Sequence, residues 1–432
     1  MKFNFFLLLF LLQLSVFSQT KIYFLKDSNH NFSINNIEKA QFILLEDQIL
    51  DKHSNDSYWF KIPAIKTDSK YIFRILYERI NSAKAFQNAV KYEKLQNQRY
   101  LSYRFSRDND FYIRVTPKLH AYIPVELKSE SEMLLKESNQ FLLNGFYYGF
   151  TFLIIIYNLF YYQVFKDDAF LYYALFLTSI SFAIFTMDGM LNFYNISEKI
   201  NNFLLVLNGF SIAYFSSKFA NSYLFSNEYY PKLKRFSYIL IIILGLLCIN
   251  QINYYYLLFL NILVFIILVA NWLPAVLLFK KNRYTKIFAF AYVIILFCGI
   301  DFFILKFLGV SVINVEARTI KIGAFLEMII LSFAVLYRMK MLRKENIQMT
   351  TEIINYSKLL KNKNSKNKEF LVEVNMKKLS LRERQIFNLI LSEKSNKEIA
   401  DIVHISVNTV KFHVKNIYDK LKIKSRKEAL NL

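Results

Sequence analysis

Near its carboxyl end, the chain carries amide, lysine and aromatic side chains at a spacing that favours contact with a nucleic acid. Asn408, Lys411, Phe412 and Lys415 stand at positions i, i+3, i+4 and i+7, which lie on one face of an α-helix. Asparagine and lysine bond to base edges and phosphates when such a helix enters the major groove of DNA. From Lys377 onward the chain has 13 Lys and Arg residues against 6 Asp and Glu residues, which favours a phosphate-bearing partner.

The surrounding pattern predicts the elements that hold this face. An apolar stripe on the opposite side of the same helix would pack on a small core. Its residues are Val410, Val414, Ile417 and Leu421. Capping serines, three of them with glutamate three positions later, predict four helix starts at Ser380, Ser395, Ser406 and Ser425. Helices over 396–403 and 407–421, separated by a three-residue turn, have the spacing of a helix-turn-helix.

Three motifs and two dipeptides in this tail resemble the LuxR-type output domain throughout. They are Leu379-Ser-Leu-Arg-Glu-Arg-Gln-Ile, Ser395-Asn-Lys-Glu-Ile-Ala, Asn408-Thr-Val-Lys-Phe-His-Val-Lys-Asn-Ile, Lys420-Leu421 and Ser425-Arg426. The resemblance implies base and phosphate contacts by the third helix through Lys411, Phe412 and Lys415, with Asn408 and Thr409 near the phosphate backbone. The candidate set of DNA-binding residues also includes two at the start of the second helix, Asn396 and Lys397.

The tail departs from that family in two ways, which affect the end of its first helix and its dimerisation. Glu393 stands where the family usually has glycine, so the first helix must stop differently. The fourth helix, often a dimer contact, has only about seven residues, so the resemblance does not imply dimerisation through the tail alone. The alternative for the whole tail is a helical module that docks a cytoplasmic signalling protein instead of DNA.

The amino-terminal end has the pattern of a secretory signal. Lys2 precedes an apolar run, with cleavage expected before Gln19; the alternative is a first membrane anchor. The segment over 20–135 has strand-like alternation in Phe111–Val115 and Ser57–Ile62 and no cysteine, which predicts a β-sandwich. Pro124 indicates an edge strand. A helix over 78–97 is the alternative for that stretch. Four aromatic residues are candidates for an exposed sugar-binding face: Tyr58, Trp59, Tyr100 and Tyr103.

The middle of the chain is apolar enough to cross a membrane repeatedly. Seven spans are predicted over 142–165, 169–190, 201–223, 236–253, 255–279, 284–308 and 319–337. If the amino terminus is exported, the links on the cytoplasmic side hold 12 Lys and Arg residues against 2 on the other side. This bias places the tail in the cytoplasm, so the net charge of +22 reflects both topology and DNA binding.

Three ionisable residues inside the spans are candidates for a polar switch. They are Glu327 in the seventh span and Asp301 and Lys306 in the sixth. The alternative for Glu327 is a structural carboxyl that is protonated or paired. The five histidines are scattered, and the sequence contains neither a metal-ligand cluster nor a nucleophile–base arrangement. We therefore expect no enzyme activity and no cofactor.

The last span, Ile322-Gly-Ala-Phe-Leu-Glu-Met-Ile-Ile-Leu-Ser-Phe-Ala-Val-Leu-Tyr-Arg338, resembles the bacterial seven-transmembrane receptors with diverse intracellular signalling modules. Tyr157-Asn-Leu-Phe160 and Lys166-Asp-Asp-Ala-Phe-Leu-Tyr-Tyr173 also look like that family. The resemblance implies a periplasmic sandwich, often likened to carbohydrate-binding domains, and a cytoplasmic module that differs between members.

Beyond the last span, apolar residues alternate at steps of three and four, as in the seam of a coiled coil. The seam comprises Met339, Leu342, Asn346, Met349, Ile353, Tyr356 and Leu360. Asn346 is the single polar residue in the seam, and such a residue often fixes the register of a pair. This pattern predicts a parallel two-stranded coil, with a lone amphipathic helix as the alternative. The Lys- and Asn-rich stretch over 361–368 predicts a solvated linker.

The sequence predicts a multi-domain membrane protein with five segments. They are a signal peptide (1–18), a periplasmic β-sandwich sensory domain (19–140), a seven-helix transmembrane bundle (141–337), a short coiled-coil helix with linker (338–376) and an all-α four-helix helix-turn-helix domain (377–432). We expect a homodimeric receptor in the bacterial inner membrane that senses a periplasmic ligand, a carbohydrate being one candidate, and regulates transcription on double-stranded DNA. The alternatives are a docking module in place of the DNA reader, or a transporter with a sensing tail.

Overall fold

The chain forms two compact units, Met1–Arg338 and Met339–Leu432. The computed structural model describes residues 21–430 except 53–54, 119, 195, 248–253, 281 and 314, and describes the backbone alone at 227, 254 and 361–375. The predicted signal peptide therefore lies outside the described residues.

The first unit begins with two antiparallel sheets. The strands are β1 (Tyr23–Asp27), β2 (Ile43–Leu44), β3 (Gln48–Asp51), β4 (Ser57–Ile62), β5 (Lys70–Ile75), β6 (Lys84–Gln87), β7 (Val90–Tyr92), β8 (Ser102–Ser106), β9 (Phe111–Val115) and β10 (Ala121–Ser129). One sheet has the order β2-β1-β4-β9-β6-β7 and the other β3-β10-β5-β8. This β-sheet domain confirms the β class predicted for the segment.

The two sheets share one apolar core. Phe60 of β4 lies 5.6 Å from Phe73 of β5, measured between ring centroids. The alternation predicted for β9 places Phe111, Ile113 and Val115 in this core. The opposite side of β9 is covered as well, because Tyr112 packs with Trp59 and Ile37 in a second, smaller cluster. Both faces of the larger sheet are therefore partly buried.

Two expectations and one alternative for this domain are wrong. The strand that contains Pro124 is internal: it pairs with β3 over its first four residues and with β5 over the rest, so the missing proline N–H falls where the partner changes. The stretch over 78–97 forms the β6–β7 hairpin and not a helix. The four aromatic side chains proposed as a sugar-binding face are all buried, between 1% and 7% exposed, because they fill the cores and the contact with the bundle.

The remainder of the first unit is helical. Its helices are α1 (Glu130–Phe165), α2 (Asp168–Met187), α3 (Glu198–Leu224), α4 (Ser226–Tyr229), α5 (Pro231–Leu247), α6 (Tyr254–Leu277), α7 (Arg283–Ile300) and the start of α8 (Ala317–Met376). Of the helices in the described residues, six are long and apolar enough to cross a membrane. The fourth predicted span corresponds to α5, and its end at 248–253 lies outside the described residues.

The sheets sit directly on one end of the helical bundle. Arg99 donates hydrogen bonds to Glu137 of α1 and to the carbonyl oxygen of Asp188, at the end of α2. Lys321 of α8 pairs with the same Asp188 at 2.6 Å. Because Arg99 is buried, its bonds hold the β domain to α1 and to the end of α2, and Lys321 joins α8 to the same point. The sequence pattern contained no sign of this arrangement.

The second unit comprises the rest of α8 and four short helices. The predicted linker over 361–368 is helical, because α8 continues to Met376. This stretch contains neither proline nor glycine, and lysine is a good helix former, so losing the apolar period does not end the helix. The last helices are α9 (Leu381–Leu391), α10 (Asn396–Val403), α11 (Val407–Leu421) and α12 (Arg426–Leu430), which confirms the predicted all-helical tail.

Glu393 ends α9 in the left-handed conformation, with φ of 60°. The Lys394 N–H returns to the Leu389 carbonyl, as in a helix end that glycine usually makes. A side chain costs about 1 kcal/mol in this conformation, so we expect Glu393→Gly to stabilise the tail by about that amount. Hydrogen exchange of α9 in the full-length protein measures this as slower local opening. Ser392→Gly, at a position with φ of −84°, is the control and should give no gain.

Candidate nucleic-acid interface

The helix starts of the tail are capped as the serine pattern predicts. The Ser380 hydroxyl accepts from the Glu383 N–H at 3.2 Å, and the Glu383 carboxylate accepts from the Ser380 N–H at 2.7 Å. Ser395 and Glu398 make the same reciprocal pair. The Ser406 hydroxyl accepts from the N–H of Thr409 at 3.1 Å, which fixes the start of α11.

A tight turn sets α11 against α10. His404 adopts the left-handed conformation with φ of 56°, and the Ile405 N–H donates to the Ala400 carbonyl at 3.1 Å. The apolar stripe of α11 then faces the tail core, where Val410 and Ile417 are fully buried. These contacts fix the rotation of α11 about its own axis, and hence which residues it presents outward.

The outward face of α11 carries the residues that the sequence singled out. Phe412 is 62% exposed, although it is a large aromatic residue. The polar candidates on this helix, Asn408, Thr409, Lys411 and Lys415, are exposed as well. In α10, Lys397 is exposed and Asn396 is half-buried. The structure thus places the α11 candidates on one accessible surface, while their contacts with DNA stay predictions.

A groove runs beside this surface. Its lining comprises Asn396, Lys411, Val414, Lys415, Tyr418, Asp419, Ile423 and Lys424. Lys411 and Lys415 therefore have Asn396 of α10 and Lys424, just after α11, as neighbours across the groove. Tyr418 and Lys424 were not predicted as part of this surface. Lys424 lies beyond the end of α11, where helical spacing does not apply. Three lysines and an amide, against the single carboxylate of Asp419, give this concave surface a net positive charge that suits a polyanion.

The fourth helix ties back to the second through Arg426. Its guanidinium donates to the Asn396 side chain at 3.4 Å and also bonds the carbonyl oxygen of Lys394. Asn396 therefore has a structural partner as well as a place in the groove. The Ser425-Arg426 motif holds the start of α10 in position rather than only starting a helix.

An ion pair joins α9 to α11. The Lys420 ammonium lies 2.7 Å from the Glu383 carboxylate, and this contact, with the Ser380 N–H, lowers the pKa of Glu383. A lowered folded-state pKa means that the carboxylate stabilises the tail above the carboxyl's usual pKa, and that the gain is lost as pH falls through the lowered value.

We therefore expect Glu383→Gln to lower the stability of the tail by about 1 kcal/mol at neutral pH. The difference in stability between variant and parent should vanish in acid, where the side chain at position 383 is uncharged in both proteins. Hydrogen exchange of α11 across a pH series, with the exposed Glu393→Gln as control, measures it. An equal loss at every pH would contradict the assignment to this ion pair.

The candidate seam of α8 is exposed in the single chain. Met349, Ile353, Tyr356 and Leu360 are each more than 60% exposed, and Asn346 is exposed with them. Leu342 is half-buried. Other large apolar residues of the same stretch, including Ile347 and Leu359, are equally open to solvent. Such a contiguous apolar surface usually marks a site of association.

The three switch candidates lie in different surroundings. Asp301 accepts from the Val312 N–H at 2.7 Å and the Val315 N–H at 3.1 Å, so it holds the loop after α7. Lys306 is buried, with its ammonium 4.0 Å from the ring centroid of Tyr122 in the β domain. Glu327 is buried, and its Oε1 has no hydrogen-bond partner among the described residues. No ion pair joins Glu327 to Lys306 among the described residues, and a polar switch that involves these side chains and tyrosine hydroxyls stays a prediction.

Two family models match the chain. Residues 140–338 match the model described as 7TM diverse intracellular signalling, and residues 377–432 match that of bacterial regulatory proteins, luxR family. These ranges cover the helical bundle and the tail, respectively. The β-sheet domain lies before the first of them.

Three similar proteins match this chain over its tail. The spore germination protein GerE of Bacillus subtilis is 42% identical over 52 residues, which are 12% of this chain and 70% of GerE. The response regulator protein VraR of Staphylococcus aureus is 46% identical over 52 residues, 12% of this chain and 25% of VraR. The transcriptional regulator MalT of Vibrio campbellii is 44% identical over 52 residues. The chain thus spans 6% of MalT and a quarter of VraR.

Proposed function

Because the chain belongs to the LuxR family of bacterial regulatory proteins through its tail, and joins that tail to a 7TM diverse intracellular signalling domain, we propose that it is a membrane-anchored one-component receptor. It senses a ligand outside the cytoplasm and regulates transcription through α11. The relatives named as regulators support this output, although they share only the tail.

The observation that carries the proposal is the exposed α11 surface. Phe412, Lys411 and Lys415 project away from a core that is fixed by capped helix starts and by the α10–α11 turn. A large exposed phenylalanine lowers the solubility of the tail when no partner is bound. When α11 lies in the major groove, the same ring contacts thymine methyl groups or sugars. The role proposed for each residue follows from this placement: Lys411, Phe412 and Lys415 contact bases and phosphates, and Asn408 and Thr409 lie near the phosphate backbone.

The charge of the links supports an orientation with the tail in the cytoplasm. Twelve Lys and Arg residues lie in the links on the side of the tail, against two on the other side, if seven spans cross the membrane. The β-sheet domain then lies in the periplasm, after cleavage of residues 1–18. Protease treatment of spheroplasts should remove an epitope placed in the β domain and spare one at the carboxyl terminus. The reverse result would contradict this topology.

The exposed seam of α8 supports a homodimer. Two copies that pair through Met349, Ile353, Tyr356 and Leu360 would cover these side chains, and Asn346 would fix the register. Pairing also brings two DNA readers together. In this proposal a ligand shifts the bundle, and α8 passes the shift to the tail as a change in register or pairing.

The transcriptome tests the function as a whole. Deletion of the gene and the double change Lys411→Ala/Lys415→Ala in the chromosomal copy should alter the same transcripts, because the tail has no output besides DNA contact in this proposal. A deletion phenotype that the double variant does not reproduce would favour the alternative, in which the tail docks a cytoplasmic signalling protein.

A further inference from the structure

A cavity of about 150 Å³ lies within the first unit, where the β domain meets the helical bundle. Helices α2, α3, α6, α7 and α8 all contribute to its wall. Ile184, Val264, Phe265 and Ala324 are among the lining residues, and most of the lining is aliphatic or aromatic. Apolar cavities of this volume bind apolar molecules.

The β domain covers one end of the cavity with two charged residues. Glu78 and Arg79, which come after β5, both line it and are largely buried. The Nε and Nη1 groups of Arg79 have no hydrogen-bond partner among the described residues, although the guanidinium lies 3.5 Å from the Glu78 carboxylate. Leaving buried donors unpaired is costly, so a guanidinium in this position is suited to an added acceptor.

We infer that this cavity binds an amphiphile with an apolar chain and an anionic headgroup, the chain lying among the helices and the headgroup at Arg79. Guanidinium groups recognise carboxylates and phosphates through charge-assisted hydrogen bonds. Burial raises the pKa of Glu78 to about 7, so near neutral pH its carboxyl is partly protonated and can donate to the same headgroup. A pocket with apolar walls and few polar groups is typical of lipophilic ligands rather than sugars.

The site joins the ligand to the helix that leads to the tail. Ala324 and Gly323 of α8 line the cavity, and Ile320 lies one turn earlier on the same helix. A bound chain therefore contacts the β domain, the bundle and α8 at once. That the amphiphile is the signal of the receptor rests on the proposed function. Binding of the amphiphile does not depend on DNA recognition.

Equilibrium binding to the full-length protein in phosphatidylcholine nanodiscs tests the site, with decanoate and decanol as probes. The unaltered protein should bind decanoate saturably. Arg79→Gln should weaken decanoate about 10-fold and leave decanol unchanged, because only the charged headgroup loses its partner. Retained decanol binding also shows that the variant has kept its fold.

A second variant separates the cavity from the surrounding lipid. Ala324→Phe places a ring in the cavity and should abolish saturable binding of both probes, since Ala324 is buried there. The matched control is Ile329→Phe on the same helix, at a residue that is 43% exposed. Decanoate binding that is equal in the parent and Ala324→Phe would overturn the site. Decanoate binding that is unchanged in Arg79→Gln would overturn the headgroup assignment.

The lipid composition of the nanodisc distinguishes a membrane phospholipid from a free fatty acid as the ligand. Replacing part of the phosphatidylcholine by phosphatidylglycerol should displace decanoate if the ligand is a membrane phospholipid. Undiminished decanoate binding would assign the site to free fatty acids. Either result is obtained without DNA, so failure of the site and failure of the transcriptional proposal are distinguishable.

Discussion

Replacing Lys411 and Lys415 by alanine is expected to lower the affinity of the full-length protein for its operator about 100-fold, roughly 3 kcal/mol. Both ammonium groups lie on the exposed face of α11 and line the same groove. Each phosphate contact that is lost removes about one released counterion, so the slope of log affinity against log salt should fall by about 2. Titration of fluorescent DNA at several salt concentrations measures both quantities.

The control for this experiment removes the same charge elsewhere in the tail. Lys378→Ala/Lys427→Ala deletes two lysines that do not line the groove. The DNA affinity of this control should fall only because the tail loses net positive charge, by a few-fold at most, and the salt slope should be nearly unchanged. Equal losses in the two double variants would mean that net charge, and not the α11 surface, carries the binding.

Replacing Ile353 by proline is expected to abolish the response of a transcriptional reporter to ligand, while the affinity of a single tail for one operator half-site changes little. Proline inside a helix removes a backbone hydrogen bond and costs about 3 kcal/mol, and Ile353 stands in the middle of the α8 seam. The tail core is built from residues at and beyond Met376 and does not need this position. Reporter output and DNA affinity, measured on the same variant, separate transmission from recognition.

Two milder changes at the seam refine this result. Ile353→Ala keeps the helix and removes only the apolar side chain, so it should weaken pairing without breaking α8. Asn346→Leu removes the polar residue that would fix the register and should shift output by altering the paired state. If Asn346→Leu and Ile353→Pro both leave output unchanged, α8 is not the transmitter.

Local sequence patterns were sufficient to predict the helices of the tail. The bounds of α10 and α11 are those predicted, because capping serines and the 3.6-residue period act over a few residues. The end of α8 was predicted too early, since the loss of an apolar stripe over 361–368 does not by itself end a helix. The outward face of α11 was predicted but the groove beside it was not, because Lys424 lies beyond the end of that helix.

Long-range contacts explain the failures in the first unit. Trp59 and Tyr103 are residue types that are common on sugar-binding faces, but both are buried here. Whether a strand residue is exposed depends on what covers its sheet. Arg99 looks like any surface arginine in the sequence, yet the fold buries it between the β domain and the bundle. Likewise, nothing in the local pattern distinguishes Arg79 until the structure places it over a cavity.

Chromatin occupancy of the full-length protein tests the central claim most directly. A carboxyl-terminal tag is followed in the parent and in Lys411→Ala/Lys415→Ala, with immunoblots of membrane and soluble fractions. We expect discrete peaks that are lost in the double variant, with all of the tag in the membrane fraction. Peaks accompanied by a soluble tagged fragment would contradict the anchored form of the claim and indicate release of the tail. No specific peaks in the parent, with or without ligand, would contradict transcriptional control itself.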